Sequence, residues 1–453
     1  MNFKTDYNAV VDPRVGIITS LNKTTYCNRL PKKAVSWNAS VSNGSILNGM
    51  QSDRIAGGTH FDSDKAKYAA IGEAIERYSG NYIQRNLIKG SYNSLKRKGY
   101  TLLDPMQIPL YSHMQYKQKG FPFIPMTRDL PIEWVEGYSL TQRQNVWIPA
   151  SLVFINYYNK DRIKTEPLTN FVIFSGVACG NTIESSITSG LLELIERDAT
   201  AMWWAWQPHL NALDINSHEQ IKRLLETEEE DTGISYKVIP LNTDINTPVT
   251  GALMIDSQLD LKLMGFSARH SPVESVLKSL AETFQLHNVA SSLLDPFSQT
   301  WLAAEDGILN DKALTHYRRD RSYKKSFRDD FRDMGDLFHN LQYYLDISTH
   351  EKLNFITNAK EVNSSFFEGN YNRGFDEILK NLNDLDLECL YVDITTSDIK
   401  EVGLHVTRTL VPGLIPNAPT AFPFLGPDRL YKVPKKLGWE TNKEINLYPL
   451  PHS

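Results

Sequence analysis

Cysteine is scarce: only Cys27, Cys179 and Cys389 occur in 453 residues. Their odd number and wide spacing exclude a disulfide framework, and none stands at metal-ligand spacing from another. No apolar run is long enough to span a bilayer, and the opening MNFKTDYNAVVDPRVGIITS lacks an apolar stretch with a cleavage site. The cytoplasm is the expected compartment. A cationic excess is missing too, since 48 Lys and Arg against 53 Asp and Glu leave a net charge of −5. Nothing global therefore points to nucleic acid. There is no G-x-x-x-x-G-K-[ST] string and hence no P-loop. No period of roughly 20 to 50 residues repeats, which excludes a solenoid. No Ser–His–Asp or Cys–His constellation emerges either. What is present is the composition of a globular protein, 41% hydrophobic and 22% charged, with material for a large core.

Along the chain, VDPRVGIITSL (11–21) is a proline turn entering a β-branched run. GGTHFDSDKAKYAAIGEAIERYSG (57–80) reads as a glycine loop entering a helix, with Asp62 or Ser63 as N-cap. IEWVEGYSL and VWIPASLVF flank TQRQN as a hairpin, and Pro149 marks an edge strand. FVIFSGVACGNT (171–182) reads as a strand running into a small-residue loop before a second helix, whose AMWWAWQP end is expected in the core. KVIPL, GALMID and LKLMGFSAR read as strands, PVESVLKSLAETFQ (272–285) as a helix, and residues 305–350 as charged and helical in pattern. The last hundred residues return to strand–helix–strand. The class is α/β with a sizeable mixed sheet.

One spelling occurs twice. LLELIERDA (191–199) sets Glu193, Glu196 and Arg197 in E-x-x-E-R order, and GEAIERYSG (72–80) does so with Glu73, Glu76 and Arg77. Chance supplies about 0.1 such strings at this length and ordinary residue frequencies. On a helix, positions i, i+3 and i+4 share a face. Each copy then puts two acids and an arginine on one side, with Ile71, Ile75 and Tyr78, or Ile187, Leu191 and Ile195, roughly opposite. Singly, either copy is most simply a wet helix face whose Glu–Arg pair contributes about 0.2–0.5 kcal/mol. Together, four facing carboxylates would repel and take up protons unless a hard cation joined them. Magnesium favours carboxylate oxygen and bridges acids to substrate phosphates; arginine forks suit phosphate oxygens. Both helices are entered through small-residue loops, AGGTH and SGVACGNT, whose N–H groups let an anion approach. The pattern suits a nucleoside triphosphate held through metal.

These residues resemble the YcaO superfamily. AGGTHFDSDKAKYAAIGEAIERYS and SGVACGNTIESSITSGLLELIERDATAMWW are similar to its two central motifs, AETFQ (281–285) to its middle helix motif, and VPGLIP (411–416) to its C-terminal block. The resemblance covers nearly the whole chain as one domain, 1–453. Its parts are a core at 51–300 with both helices, a charged helical segment at 300–375, and strand–helix–strand at 385–453 ending in a proline-containing tail. The likeness is greatest to discrete cyclodehydratase subunits that make thiazoles and oxazoles in ribosomally made peptides.

The resemblance implies a YcaO-like fold whose two acidic helices line an ATP site that binds Mg2+ without a P-loop. It assigns Glu73, Glu76, Glu193 and Glu196 to the metal, with Asn181 beside the phosphates, and Arg77 and Arg197 on them. Glu184 stands next to Ser185, where members commonly carry an acid. Glu282 and Gln285 share a helical face that would approach the nucleotide. The implied reaction is attack of a peptide Cys, Ser or Thr side chain on the preceding amide, whose oxygen ATP then phosphorylates. Glu196 and Arg197 would act at that step. In azole-forming members a proline-rich C-terminus enters the site, so His452 or the carboxylate of Ser453 would assist proton transfer. Two departures stand out: Gly58-Thr59-His60 replaces a usual loop lysine, and Ala69 a usual serine. Expected partners are the precursor peptide, a ThiF-like leader-binding protein and a flavin-dependent azoline dehydrogenase; a homodimer is left open. Peptide thioamidation and a catalytically silent scaffold are the alternatives. Cys179, His60 and His405 read more simply as structural residues, and the 317–328 stretch as a solvated helix face.

Overall fold

Three antiparallel sheets and three long helices alternate around a common centre. A computed structural model describes residues 7–42, 55–84, 86–159, 161–306 and 313–452. The first sheet runs β1 (Ile18–Thr24), β2 (Val35–Val41), β3 (Ile55–His60). A six-stranded sheet takes β4 (Ile88–Gly90), β5 (Ile132–Ser139), β6 (Gln144–Pro149) and β7 (Val177–Gly180) from mid-chain, with β13 (Leu390–Asp393) and β14 (His405–Leu410) from its end. Its order is β4-β5-β13-β14-β7, with β6 pairing β5 at the margin and joined on its other side by a single bridge from Trp147 to Leu102, which leaves Pro149 clear of it. The third sheet is β9 (Ile234–Pro240), β10 (Val249–Asp256) and β11 (Leu261–Ala268), with β11 at an edge. A two-residue parallel pair, β8 (Ala212–Leu213) with β12 (Glu361–Val362), completes the named ladders.

Helix α1 (Ser63–Asn81) packs on β2 and β3 and also on β7. Helix α2 (Ile183–Trp206) lies between β7 and β14 on one side and β10 and β11 on the other. Helix α3 (Pro272–Leu293) packs on β10 and β11 and reaches β3. Each helix thus bridges two sheets, and the ring closes. The starts are set by local chemistry. Asp62 accepts the N–H groups of Asp64 and Lys65, Thr182 and Ser185 form a capping box, and Ser271 caps α3 ahead of Pro272. Ile71, Ile75, Ile187, Leu191 and Ile195 are buried, and Trp203 is 1% exposed. Each such side chain contributes roughly 1.5–3 kcal/mol.

Three expected elements differ. AGGTH, expected as a glycine loop, is strand: it falls within β3 and pairs with β2 from Ala56 to His60. Residues 171–174 are irregular and the strand begins at Val177, because the Arg408 guanidinium takes the carbonyls of Ile173, Phe174 and Ser175. The charged stretch is helical only in pieces: residues 313–336 form turns and one short 3-10 helix (Tyr323–Ser326) before α4 (Leu337–Tyr344). There, Arg328 with Asp330 and Asp320 with Ser322 make local bonds that compete with a helix. Residues 317–328 are therefore no solvated helix face; Arg321 donates to the carbonyls of Leu259, Asp260 and Leu345.

Candidate active site

Each of five glutamates is steered by a backbone N–H from a neighbouring strand or loop. Glu73 accepts from Gly57 at 2.7 Å and Glu76 from Cys179 at 2.7 Å. Glu193 accepts from Gly176 at 2.8 Å, Glu196 from Ala268 at 3.2 Å, and Glu282 from Phe266 at 3.3 Å. The donors come from all three sheets or their approaches, so the ring of elements aims both E-x-x-E-R copies and α3 at one locus. Close approach of backbone demands glycine at Gly58, where a Cβ would lie 2.2 Å from Ala66 O, and at Gly176, with φ at 92°, where it would lie 2.4 Å from Thr409 O.

The acids feel one another. Burial, with repulsion from Glu73 and Glu193, raises Glu76 to about 8. Burial raises Glu196 to about 7, with Glu282 and Glu193 adding to the rise against Arg197. Glu193 is raised by burial as well, opposed by Arg197, the Gly176 N–H and Arg408. Burial would also raise Glu282, but Lys278, then His452, Arg197 and Arg269 outweigh it and hold its carboxyl below the usual range. A wet surface pair is excluded for Glu196, which is 5% exposed.

Arg77 donates to Glu73 of its own copy at 2.6 Å. Arg197 stands between two groups. Nε lies 3.4 Å from Glu196 and Nη2 3.9 Å from Glu193, while Nη1 is 3.0 Å from Nε2 of His452. His452 Nδ1 lies 3.0 Å from the Met264 carbonyl, so the ring proton is assigned to Nδ1 and Nε2 accepts from Arg197. Burial, then Arg197, pushes His452 down to about 4, leaving it neutral near pH 7. Ahead of it, Pro451 O accepts from Met264 N at 2.8 Å, Pro449 O from the Tyr344 hydroxyl at 2.8 Å, and Tyr448 O from Trp204 Nε1 at 2.7 Å. The tail therefore lies on the free edge of β11 and reaches the acids. Ser453 lies outside the described residues.

The other expected site residues make contacts of their own. Asn181 is exposed, its side-chain oxygen accepting from the Tyr7 hydroxyl. Glu184 is exposed on the first turn of α2, about half a turn round from Glu193, and is not drawn into the cluster. Gln285 accepts from Thr59 Oγ1 at 3.4 Å. Burial, then Glu76, pushes the Cys179 thiol up, so it is no thiolate nucleophile. His60 accepts from the Asp62 N–H at 2.9 Å, a structural use. Three cations escaped the sequence reading: Arg408, Arg269 and Lys278. Arg408 alone left a signal, as an arginine inside the apolar run LHVTRTLV.

A family model described as YcaO cyclodehydratase, ATP- and Mg2+-binding, matches residues 57–415. The chain belongs to the YcaO family. Among solved structures, a heterocyclase in complex with substrate and cofactor superposes with a TM-score of 0.71 at 22% identity. That match covers 98% of this chain and 56% of the heterocyclase chain, so the present chain spans little over half of it. YcaO from Methanopyrus kandleri bound with AMPPCP and Mg2+ gives a TM-score of 0.54 at 17% identity, covering 88% and 86% of the two chains. The E. coli microcin synthetase McbBCD complex with pro-MccB17 bound gives 0.55 at 13%, covering 89% and 90%. These likenesses establish a YcaO fold. No helix among the described residues is long and apolar enough to cross a membrane.

The YcaO site fits metal and nucleotide in a particular way. Among the described residues no three His, Cys, Asp or Glu side chains are gathered closely enough to hold an ion by themselves. Yet three acids are pushed up by burial and crowding, the state of a site short of positive charge. Magnesium bound through one or two carboxylates plus substrate phosphates meets both facts. Magnesium alone should then bind weakly and magnesium with AMPPCP tightly, with protons released from Glu196 near 7 and Glu76 near 8. Affinity should rise as pH increases through those values. The unliganded protein should lose stability as pH rises from the ordinary carboxylate range, near 4.5, up to those values and level off above them. Over that span the folded state holds protons that the unfolded chain has released. Calorimetry in buffers of different ionisation enthalpy reads the protons directly; binding without proton release would remove this account of the acids.

Proposed function

We propose that this protein is an ATP- and magnesium-dependent peptide cyclodehydratase, forming thiazolines or oxazolines from Cys, Ser or Thr of a ribosomally made precursor. The observation that carries the reading is the His452–Arg197 contact, which joins the chain's tail to the acid cluster. A nucleotide site alone would serve many phosphoryl transfers; a proline-bearing tail reaching it is what azole-forming members use. Bound ATP with magnesium supplies phosphorylation of the amide oxygen, which turns a very poor leaving group into a good one. In this reading Glu73, Glu76, Glu193 and Glu196 hold the metal. Arg77 and Arg197 take phosphate oxygens, and Asn181, Glu282 and Gln285 lie around the nucleotide. Lys278 and Arg269, whose charges reach Glu282, add positive potential where phosphate charge develops. Each ring consumes one ATP, gives ADP and phosphate carrying the former amide oxygen, and leaves the peptide one water lighter.

A ThiF-like protein would deliver the precursor by its leader, raising the effective concentration of the tethered core, and a flavin-dependent dehydrogenase would oxidise the azolines. The co-complex of McbBCD with pro-MccB17 supports a multi-protein arrangement. The test is mass spectrometry of precursor incubated with Mg·ATP, with and without the ThiF-like protein. Loss of one water per ring is expected, strongly accelerated by the partner. Exchange of oxygen for sulfur would instead establish thioamidation.

A further inference from the structure

Arg197 and His452 also line a cavity of about 120 Å³ whose lining includes none of the five glutamates. Because Arg197 lies 3.4 Å from Glu196 and 3.9 Å from Glu193, the cavity borders the acid cluster through that guanidinium. Its remaining lining is largely apolar and includes Trp204, Ala418, Phe424 and Leu450. Two buried polar atoms of its lining lack a hydrogen-bond partner among the described residues: Arg197 Nε, which faces Glu196 at 3.4 Å, and the Thr200 hydroxyl. Thr200, on α2 and 4% exposed, lines the cavity, and its buried hydroxyl has no hydrogen-bond partner among the described residues. A buried hydroxyl without a partner costs about 1–3 kcal/mol, so the site is short of one polar atom as well as of apolar bulk.

We propose that this cavity takes the side chain of the residue preceding the cyclised Cys, Ser or Thr, with Thr200 hydrogen-bonding the peptide beside it. The inference rests on the cyclodehydratase reading above and deepens it. The reacting carbon belongs to the preceding residue, whose Cα is one bond away. The following residue's side chain is itself the nucleophile and is committed to the ring. The preceding side chain is therefore the nearest free group, and a cavity bordering the acid cluster is where it would fall. The volume admits roughly eight water-sized groups, enough for a leucine-sized side chain with part of its peptide unit. Glycine would leave it unfilled.

The test uses two blocked dipeptides, acetyl-Leu-Cys-amide and acetyl-Gly-Cys-amide, titrated by NMR into the whole protein with Mg·AMPPCP present. The leucine probe should bind the unaltered protein about tenfold more tightly. Ala418→Phe, which fills the cavity, should abolish that preference while Mg·AMPPCP affinity and melting temperature hold. Thr200→Val, close to isosteric, should weaken both probes about fivefold. Equal or undetectable binding of the two probes, or a preference that survives Ala418→Phe, overturns the proposal. Mg·AMPPCP binding is read on the same samples and reports the acid cluster alone. Its absence would count against the nucleotide reading, whereas the probe preference decides the cavity.

Discussion

Glu196→Gln should leave the fold intact and cut ATP-dependent phosphate release by about 10²–10³-fold. The two halves of that expectation come from the same geometry. Glu196 accepts the Ala268 N–H and is pushed up to about 7 by burial, Glu282 and Glu193. A glutamine keeps the acceptor and the volume and removes a charge that the unliganded interior resists. Melting temperature at pH 8 should therefore hold or rise. Catalysis should not survive, because the site needs the negative charge that binds metal, and the amide would turn an N–H₂ toward Arg197, 3.4 Å from the present oxygen. Phosphate release at the unaltered rate would remove Glu196 from the site. Loss of folding would instead show that its charge, not its hydrogen bond, holds α2 to β11.

Much of this arrangement was legible because helices encode their faces in short spacings. Glu73 and Glu76, like Glu193 and Glu196, lie one turn apart, so the sequence alone shows that each pair shares a face. The Asp62 cap and the Pro149 edge were legible for the same reason: the physics is local. What could not be read is which backbone donors meet those acids. Glu76 meets Cys179 and Glu196 meets Ala268, contacts fixed by how three sheets close around three helices.

Long-range ion pairs were hidden in the same way. Arg429 binds both Asp198 and Asp244, at 2.7 and 2.6 Å, and Asp198 also accepts from the Ile415 N–H. That pins the VPGLIP loop to α2 one residue beyond Arg197, yet Asp198 reads in sequence as an ordinary helix acid. Arg408 is a harder case. It sits 1% exposed with backbone carbonyls as partners, which no spacing rule predicts. Burial lowers it to about 10, still charged near neutrality, and its charge helps Glu193 ionise.

Removing residues 449–453, or appending a C-terminal tag, should slow cyclisation by about 10²-fold and leave Mg·AMPPCP affinity largely unchanged. The described tail is no loose end, since Tyr448, Pro449, Pro451 and His452 each make a hydrogen bond to α2, α4 or β11. The acids keep their own backbone donors without it, which is why nucleotide binding should persist. What is lost is the hold on Arg197. His452 divides two roles that simple deletion would confuse. As a proton carrier it would need a free nitrogen and a pKa near neutrality; here Nε2 accepts from Arg197 and burial holds the ring near 4. A positioning role follows. His452→Gln, which can offer a carbonyl oxygen where Nε2 stood, should keep most of the cyclisation rate with an unchanged pH profile. His452→Ala should lose about as much as the deletion. If glutamine and alanine fail equally, and the acidic limb of the pH profile disappears with them, His452 moves protons and the positioning role is wrong.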